Sequence, residues 1–446
     1  MNTKKVKRKN QNRLARFSII LLSFIVIILF GAFLLWLPIS HTNQEISFID
    51  SLFLSTSAVC VTGLSPYASV AENLSMFGRV VLSILIEIGG LGIVSLVMFI
   101  AVIFGFKITF NQRSLLKEAL NQDNVGGIVH MLKRIVITAL SIQLFGAVLN
   151  FISLFWIENF PLDQAIGYSI FHSISSFNNA GFDLFGSSSL INYSDNILLN
   201  ISTCLMIFCG GIGFIVIFDI LQKRKFRRLS LHSKVVLVMS LTMLVFSTLI
   251  FKLLNYNSIT WLEAGFLSFT LRTAGFTTID LTTLNDTSII ISMLLMFIGA
   301  GPCSTAGGIK VTTVFAMLIS FRTFATEADE THAFKRKIPE NQITKAFVLS
   351  TLAFTFVCLS TIIMSAIEQG NFTFKQILFE IVSGFGTVGL TLGITPSLSI
   401  ASKLLMCLVM YVGRLGPITF ISLFHKNEKI IDKDTVRYVE ENIIIG

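Results

Sequence analysis

Four short segments of this 446-residue chain share a pattern suited to holding a bare cation. They are Cys60-Val61-Thr62-Gly63, Asn178-Asn179-Ala180-Gly181, Arg272-Thr273-Ala274-Gly275 and Gly386-Thr387-Val388-Gly389. Leucine or phenylalanine follows each final glycine, as Leu64, Phe182, Phe276 and Leu390. Phe53, Phe171 and Phe379 stand ten residues before their glycine, and Ser57, Ser175 and Ser383 stand six before. In the third segment Phe266 and Thr270 are one residue closer, with the gap of four between them kept. An ion such as K+ that crosses a membrane must exchange its water for other oxygens. Rings of backbone carbonyls supply them without a charged side chain that would trap the ion. Turning successive carbonyls inward needs unusual backbone angles, which glycine adopts at little steric cost. The expected site is therefore K+ on the carbonyls of these sixteen residues, with no side-chain metal cluster.

Such segments must be carried to membrane depth. Hydrophobic residues make up 53% of the chain and charged ones 13%, and the mean hydropathy is +0.78. A membrane helix needs about 20 apolar residues. Suitable runs occur at 17–39, 80–104, 135–157, 197–218, 235–251, 346–367 and 404–424. An eighth, from Ser288 to Phe321, would be roughly 50 Å long as one straight helix. It contains Gly299-Ala300-Gly301-Pro302 and Ala306-Gly307-Gly308, so a broken helix with an unwound middle is expected. Between the spans lie short apolar pieces at 46–58, 162–176, 261–271 and 372–385, each leading into one glycine segment. A short helix that enters the membrane and returns as extended chain is tolerated where it is buried or lines a watery cavity. A second glycine cluster follows inside the next helix: Gly89-Gly90-Leu91-Gly92, Gly210-Gly211-Ile212-Gly213, Gly299-Ala300-Gly301-Pro302 and Gly413-Arg414-Leu415-Gly416-Pro417. The expected fold is an all-α membrane protein. Four repeats of helix, pore loop and helix (eight transmembrane helices) surround one pore with pseudo-fourfold symmetry. The expected divisions are a basic N-terminus 1–16, repeats at 17–105, 106–221, 222–321 and 322–424, and a tail 425–446.

The net charge of +9 does not imply nucleic acid. Seven Lys and Arg fall in residues 1–16 and six in 223–234, whereas none lie between Pro38 and Gly78 or between Glu158 and Asp195. That alternation is the positive-inside pattern and puts both termini on the cytoplasmic side. The first apolar run is too long for a signal sequence and reads as a retained helix. The six cysteines show no metal spacing and read as free thiols.

Charges at membrane depth are functional candidates by default. Arg272 is expected to point behind the carbonyl ring and brace backbone, against an acid such as Asp183 or Asp280. Arg414 either sets a barrier beneath the ring or pairs with Glu87. Lys310 either caps the unwound segment or reaches for the cytoplasmic edge. Asp219 reads as an interfacial anchor. The segment Gly299-Ala300-Gly301-Pro302-Cys303-Ser304-Thr305-Ala306-Gly307-Gly308 reads either as a flexible plug that gates the pore or as close packing by small residues.

Together, the four glycine segments, the strings Asn179-Ala180-Gly181-Phe182-Asp183 and Arg272-Thr273-Ala274-Gly275-Phe276, Gly307-Gly308-Ile309-Lys310 and Gly413-Arg414-Leu415-Gly416-Pro417 resemble the Trk/Ktr/HKT superfamily of K+ transporters. Length and helix number look most like the bacterial Ktr membrane subunit, of KtrB or KtrD type. The resemblance implies a homodimer in the cell membrane with one pore per subunit. It also implies an octameric cytosolic RCK ring of KtrA or KtrC type, which binds ATP and ADP and acts on the broken helix and Arg414. Na+ dependence is a further implication. Glycine at position 63, where Na+-transporting plant members carry serine, favours K+. A Na+- or H+-coupled secondary transporter is the alternative, but the repeats run parallel rather than inverted. No paired carboxylates or nucleophilic set points to an enzyme.

Overall fold

Apolar helices long enough to satisfy their own backbone account for most of the chain. The computed structural model describes residues 3–42, 46–106, 108–120 and 126–416, with side chains from residue 18 onward. Pro417, the rest of the last repeat and the tail expected at 425–446 lie outside these residues.

The first quarter contains α1 (Thr3–Trp36), α2 (Phe48–Val59), the single turn α3 (Val70–Asn73), α4 (Met76–Leu91) and α5 (Ile93–Ile103). The second contains α6 (Phe110–Ala119), α7 (Ile128–Ile152), α8 (Leu162–Asn178), α9 (Ile197–Ile212) and α10 (Phe214–Lys223). The third contains α11 (Leu231–Leu254), α12 (Trp261–Thr270), α13 (Asp286–Phe297) and α14 (Val311–Ala325). A small hairpin, β1 (His332–Ala333) against β2 (Arg336–Lys337), leads to α15 (Glu340–Glu368), α16 (Phe374–Gly386) and α17 (Ile400–Leu415).

Side-chain caps define where most short helices begin. Ser47 accepts from the Asp50 N–H at the start of α2. Thr260 with Glu263, and Thr373 with Gln376, form reciprocal capping boxes on α12 and α16. Asn196, Asn285 and Ser399 cap α9, α13 and α17 in the simpler way.

Among the described residues, four helical stretches are long and apolar enough to cross a membrane: Ser18–Trp36, Ile128–Ile157, Leu231–Leu254 and Glu340–Glu368. Two spans that read as continuous in the sequence are broken. α4 and α5 meet at 99°, and α9 and α10 at 95°. The hinge is Gly92 (φ 84°) in one and Gly213 (φ 90°) in the other. Gly416 (φ 87°) ends α17 with the same backbone twist. The break expected near Gly299 is present as the irregular stretch between α13 and α14. Outward-facing apolar side chains such as Leu22, Val26 and Phe30 on α1 and Leu144 on α7 are exposed, as expected of a lipid-facing surface.

Packing links the quarters in chain order and then back to the start. α4 packs on α8, α9 on α12, α13 on α16, and α17 on α2. Each contact sets the helix that follows one quarter's glycine segment against the helix that leads into the next quarter's.

Candidate ion-conducting site

The short helices α2, α8, α12 and α16 each end in the same turn. The residue two before the glycine is left-handed in all of them: Val61 (φ 57°), Asn179 (φ 58°), Thr273 (φ 75°) and Thr387 (φ 52°). The glycine itself is also at positive φ: Gly63 100°, Gly181 71°, Gly275 85° and Gly389 90°. A non-glycine residue at positive φ is uncommon, and four in register are not scatter. The same backbone hydrogen bond recurs in each turn. The N–H of Thr62 donates to the Ser57 carbonyl at 2.8 Å, Ala180 to Ser175 at 2.8 Å, and Val388 to Ser383 at 2.9 Å. In the third turn Ala274 donates to Thr270 at 2.9 Å. The Ser/Thr position that marks the repeat in the sequence is therefore the acceptor that closes the turn, and the one-residue offset of the third is preserved.

The four glycines meet. A Cβ on Gly63 would come within 2.6 Å of the Ala180 carbonyl oxygen, and one on Gly181 within 2.9 Å of the Ala274 oxygen. A Cβ on Gly275 would strike the Val388 oxygen, and one on Gly389 the Thr62 oxygen. The contacts run 63 to 181 to 275 to 389 and back to 63. Every other residue of the four segments is buried, and the glycine alone in each keeps some exposure. Accessible space is thus bordered by glycine backbone, with the side chains turned into the protein.

A second tier of glycines lies against the short helices. Side chains at Gly89, Gly210 and Gly413 would collide with the carbonyls of Val59, Phe177 and Phe385, each four residues before its ring glycine. The third quarter departs from this rule: Gly299 packs instead against the Gly307 carbonyl of its own loop.

That loop crosses toward the second quarter. The Gly301 N–H donates to the Gly211 carbonyl at 2.9 Å, and the Thr305 hydroxyl donates to the Phe177 carbonyl at 3.1 Å. Phe214 N–H donates to the Cys303 carbonyl at 3.1 Å, and the Ser304 hydroxyl donates to the Gly301 carbonyl at 2.6 Å. The Ala300 carbonyl accepts from Val311 N–H at 3.2 Å. Pro302 sits over Gly213, Gly307 against Thr387, and Gly308 beside Gly386. Lys310 caps the loop by donating to the Ala306 carbonyl at 2.6 Å and that of Gly307 at 3.3 Å. Arg414 donates to the carbonyls of Thr305, Gly89 and Gly90, which joins the loop to the first quarter.

Two expected pairings are replaced. Glu87 accepts from Asn178 and Gln143 rather than from Arg414. Arg272 is buried behind its turn as expected, yet its partner is Ser240 on α11, at 3.0 Å to the hydroxyl. The acids named for it are engaged locally: Asp280 with Thr282, and Asp183 with Ser189 and the Phe185 N–H. Asp219 forms an ion pair with Lys223 at 2.6 Å, as suits an anchor.

One recurring contact escaped the sequence reading. Ser55, Ser173 and Ser268 on the short helices donate to the carbonyls of Ile28, Gln143 and Leu244 on the preceding long helix, at 2.7, 2.5 and 2.9 Å. They precede their glycine by eight, eight and seven residues, so the signal was available. The fourth quarter has Ile381 there, which hides it.

A family model described as TrkH, cation transport protein, matches residues 2–433. The Ktr system potassium uptake protein B of Bacillus subtilis (strain 168) is 36% identical over 438 residues, covering 96% of each chain. The potassium/sodium uptake protein NtpJ of Enterococcus hirae is 36% identical over 454 residues, covering 99% of each. Among solved structures, the potassium transporter TrkH of Vibrio parahaemolyticus superposes with a TM-score of 0.69 at 19% identity, over 91% of this chain and 84% of that one.

Proposed function

The chain belongs to the TrkH family of cation transport proteins, and from that premise we propose that it is the ion-translocating subunit of a Ktr-type potassium uptake system. The ring carries the reading. Four positive-φ glycines, each the only accessible residue of its segment, meet in cyclic order on one another's carbonyls. An ion on that axis exchanges water for carbonyl oxygens. The four segments form the selectivity filter, the four quarters are helix–pore loop–helix repeats in pseudo-fourfold array, and their limits are 17–105, 106–221, 222–321 and 322–424. Eight spans leave both termini in the cytoplasm, in keeping with the basic loops.

The gate lies in Gly299–Gly308, with Lys310 and Arg414. Support comes from its hydrogen bonds: the loop borrows carbonyls from other elements and is tethered by one arginine. The working unit in this proposal is a homodimer on a cytosolic RCK ring that binds ATP and ADP, as the resemblance implies; the Bacillus relative's name, part of a Ktr system, supports only that further components take part. The Enterococcus relative is named for potassium and sodium, so Na+ dependence belongs to the proposal. A coupled secondary transporter is less well supported, because the quarters repeat in parallel.

Uptake in a K+-auxotrophic bacterium, comparing wild type with Gly63→Ser, tests the reading. The added side chain enters space within 2.6 Å of the Ala180 oxygen at a φ of 100°, so K+ uptake and K+ over Na+ preference should both fall. Unchanged uptake and selectivity would reject the filter assignment.

A further inference from the structure

Glu87 is the one acid of α4, and its carboxylate reaches across to the second quarter. Oε2 accepts from Asn178 Nδ2 at 2.7 Å and from Gln143 Nε2 at 2.8 Å. Asn178 opens the second ring segment and is fully buried. The same Nδ2 donates to the Ile174 carbonyl at 2.9 Å. Its side chain lies flat on Gly90, where a Cβ would come within 2.5 Å of Asn178 Cγ and 2.9 Å of its Cβ. Glycine at 90 therefore admits the asparagine, and glutamate one turn earlier holds it.

Two amide donors converge on one carboxyl oxygen in a buried site, where a hydrogen bond is worth more than in water. Removing the acceptor leaves Gln143 Nε2 and one N–H of Asn178 Nδ2 without this partner in a buried site, while the bond to Ile174 remains, so part of the desolvation cost is uncompensated. The left-handed Asn179 and the carbonyls facing the ring follow directly on Asn178. We propose that Glu87 is a positioning residue for the second turn of the ring, fixing Asn178 and through it the carbonyls that discriminate between ions. This rests on the proposal that the ring is the cation path.

The test is a double-mutant cycle in the full-length chain with its cognate partner subunit, normalised to inserted protein. Glu87→Leu should lower the K+/Na+ uptake ratio, a quantity that mere loss of stability does not move. Asn178→Asp sets two carboxylates face to face and should cut K+ uptake about tenfold, and Glu87→Gln with Asn178→Asp, which rebuilds the pair with roles exchanged, should return it to within about threefold of wild type. A wild-type ratio in Glu87→Leu, or a double variant no better than Asn178→Asp, overturns the proposal. The same cycle read as melting temperature of purified protein does not depend on transport. No coupling there overturns the Glu87 proposal; coupling there in a wild type that takes up no K+ upholds the contact and rejects only the transport reading.

Discussion

Among the described residues Arg414 has no carboxylate partner; its donors go to three backbone carbonyls from two different parts of the chain. A guanidinium offers five donors in a fixed planar fork, so it can hold carbonyls of separate segments in one geometry, whereas the three donors of a lysine ammonium radiate from a single point. Lying level with the second glycine tier, it ties the irregular loop to the first quarter; in the gate proposed above, its charge opposes a cation on the axis. Arg414→Ala should therefore raise K+ flux into liposomes in the absence of any partner subunit, and Arg414→Lys should give an intermediate flux. Equal flux from all three proteins would remove Arg414 from the gate. The alternatives left open for this residue could not be separated by spacing: Glu87 and Arg414 are both at membrane depth, and only the fold shows the acid facing Asn178.

Helix breaks set what each element can do. Gly92, Gly213 and Gly416 share one positive-φ conformation and turn or end their helices at the same place. The stretch between α13 and α14 has instead lost its helical bonds over thirteen residues, 298–310, and replaced part of them with bonds to α9, the α9–α10 break and α14. Bonds borrowed from a neighbour can be exchanged without unfolding the element, as a gate requires. Deleting Gly301–Gly307 should raise ion flux measured without the partner ring. Unchanged or reduced flux in correctly folded protein would make the loop a packing element. The excess length of the apolar run and its Gly-Pro content made this break readable in advance. The bends at Gly92 and Gly213 were not, because runs of span length with internal glycines are compatible with straight helices.

The whole molecule is closed by contacts between its ends. α17 packs on α2, and Lys403 meets Asp50 at 2.7 Å with side chains only 13% and 22% exposed. Breaking a largely buried pair strands a charge, so Lys403→Met should cost about 1–3 kcal/mol, between the roughly 0–1 of an exposed pair and the roughly 3–5 of a fully buried one. The exposed pair Lys375–Asp286, at 44% and 76%, should cost less than about 1 kcal/mol when broken. Thermal unfolding of the purified variants, with the exchanged pair Asp50→Lys and Lys403→Asp as the control, compares the two. Equal effects would mean that closure between the first and last quarters contributes nothing special.

By itself the sequence determined the membrane solvent, the four short helices, the four ring glycines and the broken span. Each of these depends on local physics: hydropathy over a bilayer's thickness, and backbone angles that only glycine takes freely. The recurring Ser or Thr marked the position in each segment, but that its carbonyl closes the turn was visible only in the fold. What only the tertiary structure decided were the partners of buried polar groups: Arg272 with Ser240, Glu87 with Asn178, and Arg414 with carbonyls. In a dry interior any such group must find some partner, but which one depends on helix rotation and on glycines that let backbones meet. Those are set by packing between distant parts of the chain, which no local pattern records.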